Sequence, residues 1–160
     1  NDSDRYLYRK RQREVSMVLQ SIMNYKGFDL TFNMRANIGN FVYNNVNSSR
    51  AQFSFLRDNA VLGNIPTQVL ETGFENRTPE SLLSDIYIED ASFLRMDNVQ
   101  LGYTFEEFFD QSASLRLYGG VQNVFVITEY SGLDPEIFGG IDNTIYPRPR
   151  TVLFGANVRF

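Results

Sequence analysis

The side chains that carry most enzyme chemistry are missing from this sequence. Its 160 residues contain no histidine and no cysteine. That removes the commonest metal ligand and general base, thiol catalysis, cysteine zinc sites and disulfides. The carboxylate pairs that remain, Glu89-Asp90 and Glu106-Glu107, are neighbours in the chain with no nucleophile beside them. General acid–base work needs groups that converge on one reacting atom, so no catalytic residue is assigned. What is left is binding chemistry. Aromatic side chains at Phe53, Tyr87, Tyr130 and Tyr146 can stack on sugar faces or pack against peptide side chains.

Charged candidates are few, and each has a structural reading beside the binding one. Arg95 and Asp97 lie two apart, on one face of an extended segment, where they suit a ligand; pairing with neighbouring loops is the simpler role. Asp134 precedes a proline, which makes it a turn former before it is a cation or sugar ligand. Tyr146-Pro147-Arg148-Pro149-Arg150 holds two guanidinium groups on a stiff extended backbone, because the residue before each proline is pushed out of the helical region. Arg148 is a candidate for acidic groups on a substrate, although shaping the return into the next strand accounts for the run as well. Arg9-Lys10-Arg11 with Arg13 is short and sits in a chain of net charge −4, which argues against nucleic acid and for a solvated loop. Asn47-Ser48-Ser49 and Asn76-Arg77-Thr78 match the glycosylation pattern, which by itself assigns nothing.

The elements that must position these residues are strands. From Thr151 to Phe160 an apolar set (Val152, Phe154, Ala156, Val158, Phe160) alternates with Leu153, Gly155, Asn157 and Arg159. Alternation over about ten residues is the length of a tilted strand crossing a bilayer, with lipid on one face and a polar lumen on the other. Phe28 to Ile38 alternates as cleanly, and Ser16 to Tyr25 precedes it across Lys26-Gly27, a connection of hairpin length. Phe93 to Phe105 is amphipathic only in its second half, its first half being polar on both faces. Ser114 to Val124 completes the five. Composition, 42 % hydrophobic and 21 % charged, is ordinary for a globular domain. No apolar run approaches the length of a transmembrane helix, which says nothing about strands.

Connection lengths form a second pattern. The links after the first and third strands are short, Lys26-Gly27 and Glu106 to Ala113; those after the second and fourth are long. Bacterial barrels have short periplasmic turns and longer extracellular loops. On that scheme Tyr25, Phe28, Tyr103, Phe105 and Phe160 gather at the periplasmic ends, as an interfacial girdle does. The long loop from Gly39 to Ser92 is expected to contain short helices, at Pro79 to Ser84 after the Thr78 cap and at Ser49 to Arg57. A chain beginning Asn-Asp-Ser-Asp reads as the tail of a larger protein.

Several segments are similar to one family. Ala91 to Phe105, Asn24-Tyr25-Lys26-Gly27-Phe28-Asp29-Leu30, Gly39-Asn40-Phe41-Val42-Tyr43-Asn44, Gln122-Asn123-Val124-Phe125, Tyr130-Ser131-Gly132-Leu133-Asp134-Pro135-Glu136 and Tyr146-Pro147-Arg148-Pro149-Arg150-Thr151 resemble segments of the SusC/RagA-type TonB-linked outer-membrane transporters. The resemblance spans nearly the whole chain. It implies an all-β fold: an antiparallel transmembrane β-barrel segment, the five C-terminal strands of a barrel of about 22 strands with long extracellular loops. It also implies a plug and TonB-contacting segment elsewhere in the protein and a SusD-like lid lipoprotein. The cargo would be a glycan or peptide, Phe160 the barrel-insertion signal, and the location the outer membrane of a Gram-negative bacterium. Asn1-Asp2-Ser3-Asp4-Arg5 resembles the end of an acidic calcium-loop-like stretch, too truncated to assign a metal; no other cofactor is implied. Two alternatives stay open: an outer-membrane barrel with a structural or adhesion role, and a soluble carbohydrate-binding β-sandwich.

Overall fold

The computed structural model describes residues 13–58, 64–108, 113–143 and 146–160. Asn1 to Arg5 and Arg9-Lys10-Arg11, with the calcium and basic-patch readings placed on them, lie outside the described residues. In chain order the strands are β1 (Val15–Tyr25), β2 (Phe28–Ile38), β3 (Phe41–Tyr43), β4 (Ile88–Asp90), β5 (Phe93–Phe108), β6 (Ala113–Thr128) and β7 (Thr151–Arg159). Between β3 and β4 come four short helices, α1 (Asn45–Ser48), α2 (Ser54–Asp58), α3 (Val69–Thr72) and α4 (Pro79–Leu82). The chain divides into two compact units: a sheet unit of Glu14–Ile38, Ser92–Thr128 and Arg148–Phe160, and a loop unit that includes Gly39–Ala91 and Glu129–Pro147.

The sheet unit is one antiparallel sheet in the order β1-β2-β5-β6-β7. Lys26 and Gly27 both take positive φ, 47° and 84°, the requirement of a two-residue hairpin turn whose twist matches its strands. Register then follows from Tyr25 opposite Phe28 through Val15 opposite Ile38. β2 pairs with β5 from Phe28 opposite Tyr103 to Asn37 opposite Phe93, with one slip: Asn33 faces Asn98, but Met34 faces Met96. Asp97 is the extra residue of a β-bulge. Because side chains alternate with period two, one inserted residue flips the rest of the strand to the other face. Leu94 and Met96 thereby join Val99, Leu101, Tyr103 and Phe105 on the apolar face, while Phe93 and Arg95 join Asn98 and Gln100 on the polar one. The first half of this strand looked polar on both faces only because the phase changes at Asp97.

Other expectations shift in length. β5 and β6 run to 16 residues each, longer than expected, so both strands extend into the segment from Glu106 to Ala113 that was read as a turn. Of the helix expected over Ser49 to Arg57 only the end is helical, as α2; α1 lies before that range, capped by the Asn44 side chain accepting from Asn47 N. α4 starts as expected, through a reciprocal capping box between Thr78 and Ser81. It ends at Leu82, before a 3₁₀ turn at Asp85–Tyr87. The β3–β4 pair, Phe41 opposite Asp90 to Tyr43 opposite Ile88, was not foreseen; three-residue strands are too short to show a period. Val42, Ala91 and Tyr130 form the small core of the loop unit, with Ile137 packed on it.

Among the described residues neither edge of the sheet has a partner strand: β1 and β7 are its outer members. On the apolar face Met17, Leu19, Met23, Leu101, Leu117, Val152, Phe154 and Val158 are exposed. A continuous apolar surface of this kind is a buried or lipid-facing surface, not a water-facing one. Placing Arg at Leu101 or Leu117 is expected to cost about 2–4 kcal/mol of folding stability in a bilayer, if they lie near its midplane, against about 0–1 near an interface. Asn157→Arg, on the opposite face, is expected to be nearly neutral. Urea titration of the assembled protein in lipid vesicles measures both.

Candidate functional site

The polar face of the sheet is built from matched side chains. Asp29 on β2 and Arg116 on β6 form a two-toothed ion pair, 2.8 Å from Nε and 2.5 Å from Nη2. The pair reaches across β5, and Gly102 makes room for it: a Cβ there would lie 2.5 Å from Asp29 Oδ1 and 2.8 Å from Arg116 Nη2. Further along, Asn33 Nδ2 donates to Asn98 Oδ1 at 3.2 Å. Arg35 then holds Asp97 through Nε at 2.5 Å and Nη2 at 2.9 Å. Arg95 is 2 % exposed, and its Nη1 donates to Asn123 Oδ1 at 3.1 Å. Asn123 adopts φ 53° and its Nδ2 donates to the Arg148 carbonyl at 2.8 Å.

Arg95 and Asp97 both turn to the polar face, as expected, and each is held by a side chain of a neighbouring strand, Asn123 of β6 for Arg95 and Arg35 of β2 for Asp97. Arg35, Arg116, Asp29 and Asn123 were missed as site residues. The alternation phase placed Asp29, Arg35 and Arg116 on the polar face but Asn123 on the apolar one, and the partners are separated in sequence by 28 to 87 residues. Asp134 forms the expected turn, its Oδ1 accepting from Glu136 N at 2.9 Å.

On the apolar face the aromatic candidates meet at the hairpin end. Tyr25 faces Phe28 and Phe28 faces Tyr103; the Phe28 and Tyr103 rings lie 4.6 Å apart, and Tyr103 and Phe105 4.7 Å apart. Lys26 Nζ sits 5.3 Å over the Tyr25 ring, an ammonium beside an aromatic rim. Phe160 follows β7 and is 97 % exposed. Phe154 lies against Gly119, where a Cβ would come within 3.2 Å of its ring.

In the loop unit a polar knot joins two chain segments. Glu89 on β4 accepts from Ser131 N and Ser131 Oγ, both at 2.8 Å, and from Asn44 Nδ2 at 2.9 Å. Tyr130 OH donates to Asp142 Oδ2 at 2.7 Å, and Asp142 N donates to the Tyr43 carbonyl at 2.9 Å. Gly132 lies directly beneath the Tyr130 ring, which leaves no space for a side chain there. Burial first, then the Asp142 hydrogen bond, pushes the Tyr130 phenol well above its ordinary value; burial does the same at Tyr87, with Tyr43 adding to it. Tyr87 and Tyr130 are 0 % and 5 % exposed, so neither ring offers a stacking face. Phe53 is half-buried. Tyr146 is 89 % exposed, and among the four aromatic candidates it is the one open to a ligand. Among the described residues no three acidic side chains come together as a metal site.

No family model matches the chain. Whole-chain comparison does find relatives. TonB-dependent receptor SusC of Bacteroides thetaiotaomicron is 38 % identical across 100 % of this chain and 16 % of its own length. TonB-dependent receptor P3 of Formosa agariphila is 27 % identical across 92 % of the chain and 16 % of its own length. Among solved structures, the RagAB peptide importer in its closed-closed state superposes with a TM-score of 0.71 at 18 % identity, over 94 % of this chain and 18 % of that one. Its open-open state gives 0.68 at 20 % identity, over 95 % and 18 %. At such identities these two likenesses concern the fold. The chain spans about 16 % of the length of these curated relatives. They are receptors and importers, not enzymes.

Two outcomes test the site geometry. Gly102→Val is expected to drive Asp29 and Arg116 apart and cost about 1–3 kcal/mol. Combined with Asp29→Ala it should cost clearly less than the two single losses summed, because both remove one interaction; equilibrium unfolding of the four proteins decides. In the loop unit the folded state keeps the Tyr130 proton, whereas the unfolded chain releases it near pH 10. Stability from this group is thus complete below that pH and lost as pH rises above it. Amide exchange across residues 129–143 should accelerate above about pH 10 while β2 stays protected, and Tyr130→Phe should abolish the Asp142 part of that dependence.

Proposed function

The chain belongs to the SusC/RagA family of TonB-dependent receptors, and from that premise we propose that it forms the closing C-terminal wall of an outer-membrane importer's β-barrel. One observation carries this reading: a five-stranded sheet with a continuous apolar face, an opposite face crossed by ion pairs, and two edges without a partner strand among the described residues. Unpaired backbone donors and acceptors cannot remain in hydrocarbon, so strands from the rest of the receptor must continue the sheet from β1 and β7 until it closes. A barrel of about 22 strands with a plugged lumen is the size class for such transporters.

In that setting Tyr25, Phe28, Tyr103 and Phe105 form the membrane girdle, and Phe160 serves as the insertion signal. The plug and the TonB-contacting segment come from the remainder of the protein. TonB, energised from the inner membrane, remodels the plug, and a nutrient of glycan or peptide class passes along the polar face. The loop unit, with Tyr146 as its open aromatic position, contributes to the rim on which a SusD-like lid lipoprotein closes. The organism is Gram-negative.

The test is expression with a signal peptide, alone and together with the rest of the receptor, followed by electrophoresis of outer-membrane fractions with and without heating. A heat-modifiable species is expected only when the missing strands are supplied, and Phe160 deletion should lower its yield severalfold. A stable soluble monomer of the chain alone would overturn the barrel reading in favour of a sandwich.

A further inference from the structure

The polar face of the sheet changes character at β1. On β2 it carries Asp29, Thr31, Asn33 and Arg35, but the β1 residues opposite Arg35 and Thr31 are Val18 and Ile22. They are 72 % and 65 % exposed, both more so than Met17, Leu19 and Met23 on the apolar face of the same strand. The polar groups of β2 do not cover them. Arg35 engages Asp97, Asn33 donates to Asn98, and Asp29 is held by Arg116, each on the side of β2 away from β1. We infer that this apolar pair on β1 is a docking surface for the plug of the same receptor, so that the plug packs on the β1 side of the lumen and leaves the polar wall of β2, β5 and β6 to the passage.

The composition of β1 calls for cover on both faces. Val15–Tyr25 has no charged residue, and seven of its 11 residues are apolar. A strand buried on both faces reads as a near-continuous apolar run, whereas a strand with one watered face alternates, as β2 does from Phe28 to Ile38. Height on the strand then selects the occupant. Ile22 lies seven residues from Val15 at the outer end of β1, roughly 24 Å, and three from Tyr25 at the hairpin, roughly 10 Å. A lid closing on the outer rim does not reach that depth, and lipid lies against the other face. A strand added beside β1 would flank these side chains within the sheet, at about 4.8 Å, without covering them. Cargo passes and is released, so it gives no lasting cover. The plug meets every condition: the chain spans 16 % of the length of the curated relative SusC, and the importer reading places the element that fills the lumen in the rest of the receptor. Val18 and Ile22 are β-branched and stiff at χ1, so they present a fixed surface for it to pack on.

This docking surface rests on the importer reading, and the test separates the two. In the full-length receptor, assembled in outer membranes with its partners, Val18→Cys and Ile22→Cys are compared with Gln122→Cys, an exposed polar-face position of β6, and with the unsubstituted receptor as blank. Reaction with a membrane-impermeant maleimide is expected to be about tenfold slower at 18 and 22 than at 122, because a packed segment must open before either thiol reacts. A photo-reactive benzoylphenylalanine at 18 or 22 then identifies the cover by mass spectrometry of the digested protein, and crosslinked peptides from the plug are expected. Every variant is checked for the heat-modifiable band, and Ile22→Cys serves if Val18→Cys assembles poorly. With the band retained, labelling at 18 and 22 as fast as at 122 overturns the docking surface and leaves the importer intact. Crosslinks to barrel strands or to the lid lipoprotein in place of the plug do the same. If the unsubstituted receptor gives no heat-modifiable band, the barrel reading falls and the docking surface with it.

Discussion

Every other feature of the sheet depends on keeping one face apolar across five strands. With a side-chain period of two, a single slip exchanges the faces of a whole strand. A strand in hydrocarbon cannot tolerate the exchange, because charged groups at depth cost several kcal/mol. β5 carries an irregularity at Asp97 that would produce such a failure if the register on β2 were not shifted by the same step. With the shift, Leu94 and Met96 stay with Val99 and Leu101, and Arg95 is turned inward, where Asn123 receives it. The bulge is thus what lets a polar stretch of sequence lie within a two-faced wall.

The polar face is filled by a repeated device, a large side chain laid across a glycine on the next strand. The Asp29–Arg116 pair crosses Gly102, and the Tyr118 ring covers Gly155. The apolar face uses the same device once, with Phe154 over Gly119. Partly exposed ion pairs contribute modestly to stability, so what these pairs chiefly provide is orientation. They lock long side chains flat along the wall.

Much of this was legible in the residues. β2 and β7 follow from alternation alone, and the Lys26-Gly27 turn from spacing. The polar first half of β5 was misread because periodicity assumes a constant phase, and a bulge is visible only through the partner strand. The tyrosines misled for a different reason. Tyr87 and Tyr130 have the composition of a ligand platform, and only three-dimensional packing distinguishes a buried ring from a stacking one. Glu89 gave no signal at all: its donors lie 42 and 45 residues away, and an acid in a loop is otherwise unremarkable. Long-range polar pairing is the part of a fold that a linear pattern carries least well.

The Glu89 knot bears on how this protein can diversify. Loops on a barrel are ordinarily independent appendages, each open to exchange without reference to the next. Here one carboxylate on β4 is shared by Asn44 and Ser131, and Asp142 reaches back to Tyr43. The segments Gly39–Ala91 and Glu129–Pro147 therefore constitute a single cassette. Grafting either one alone onto a related barrel would part Glu89 from Ser131 and Asp142 from Tyr43, whereas moving both together carries the joint with them, so new specificities are best sought by shuffling the two as one module.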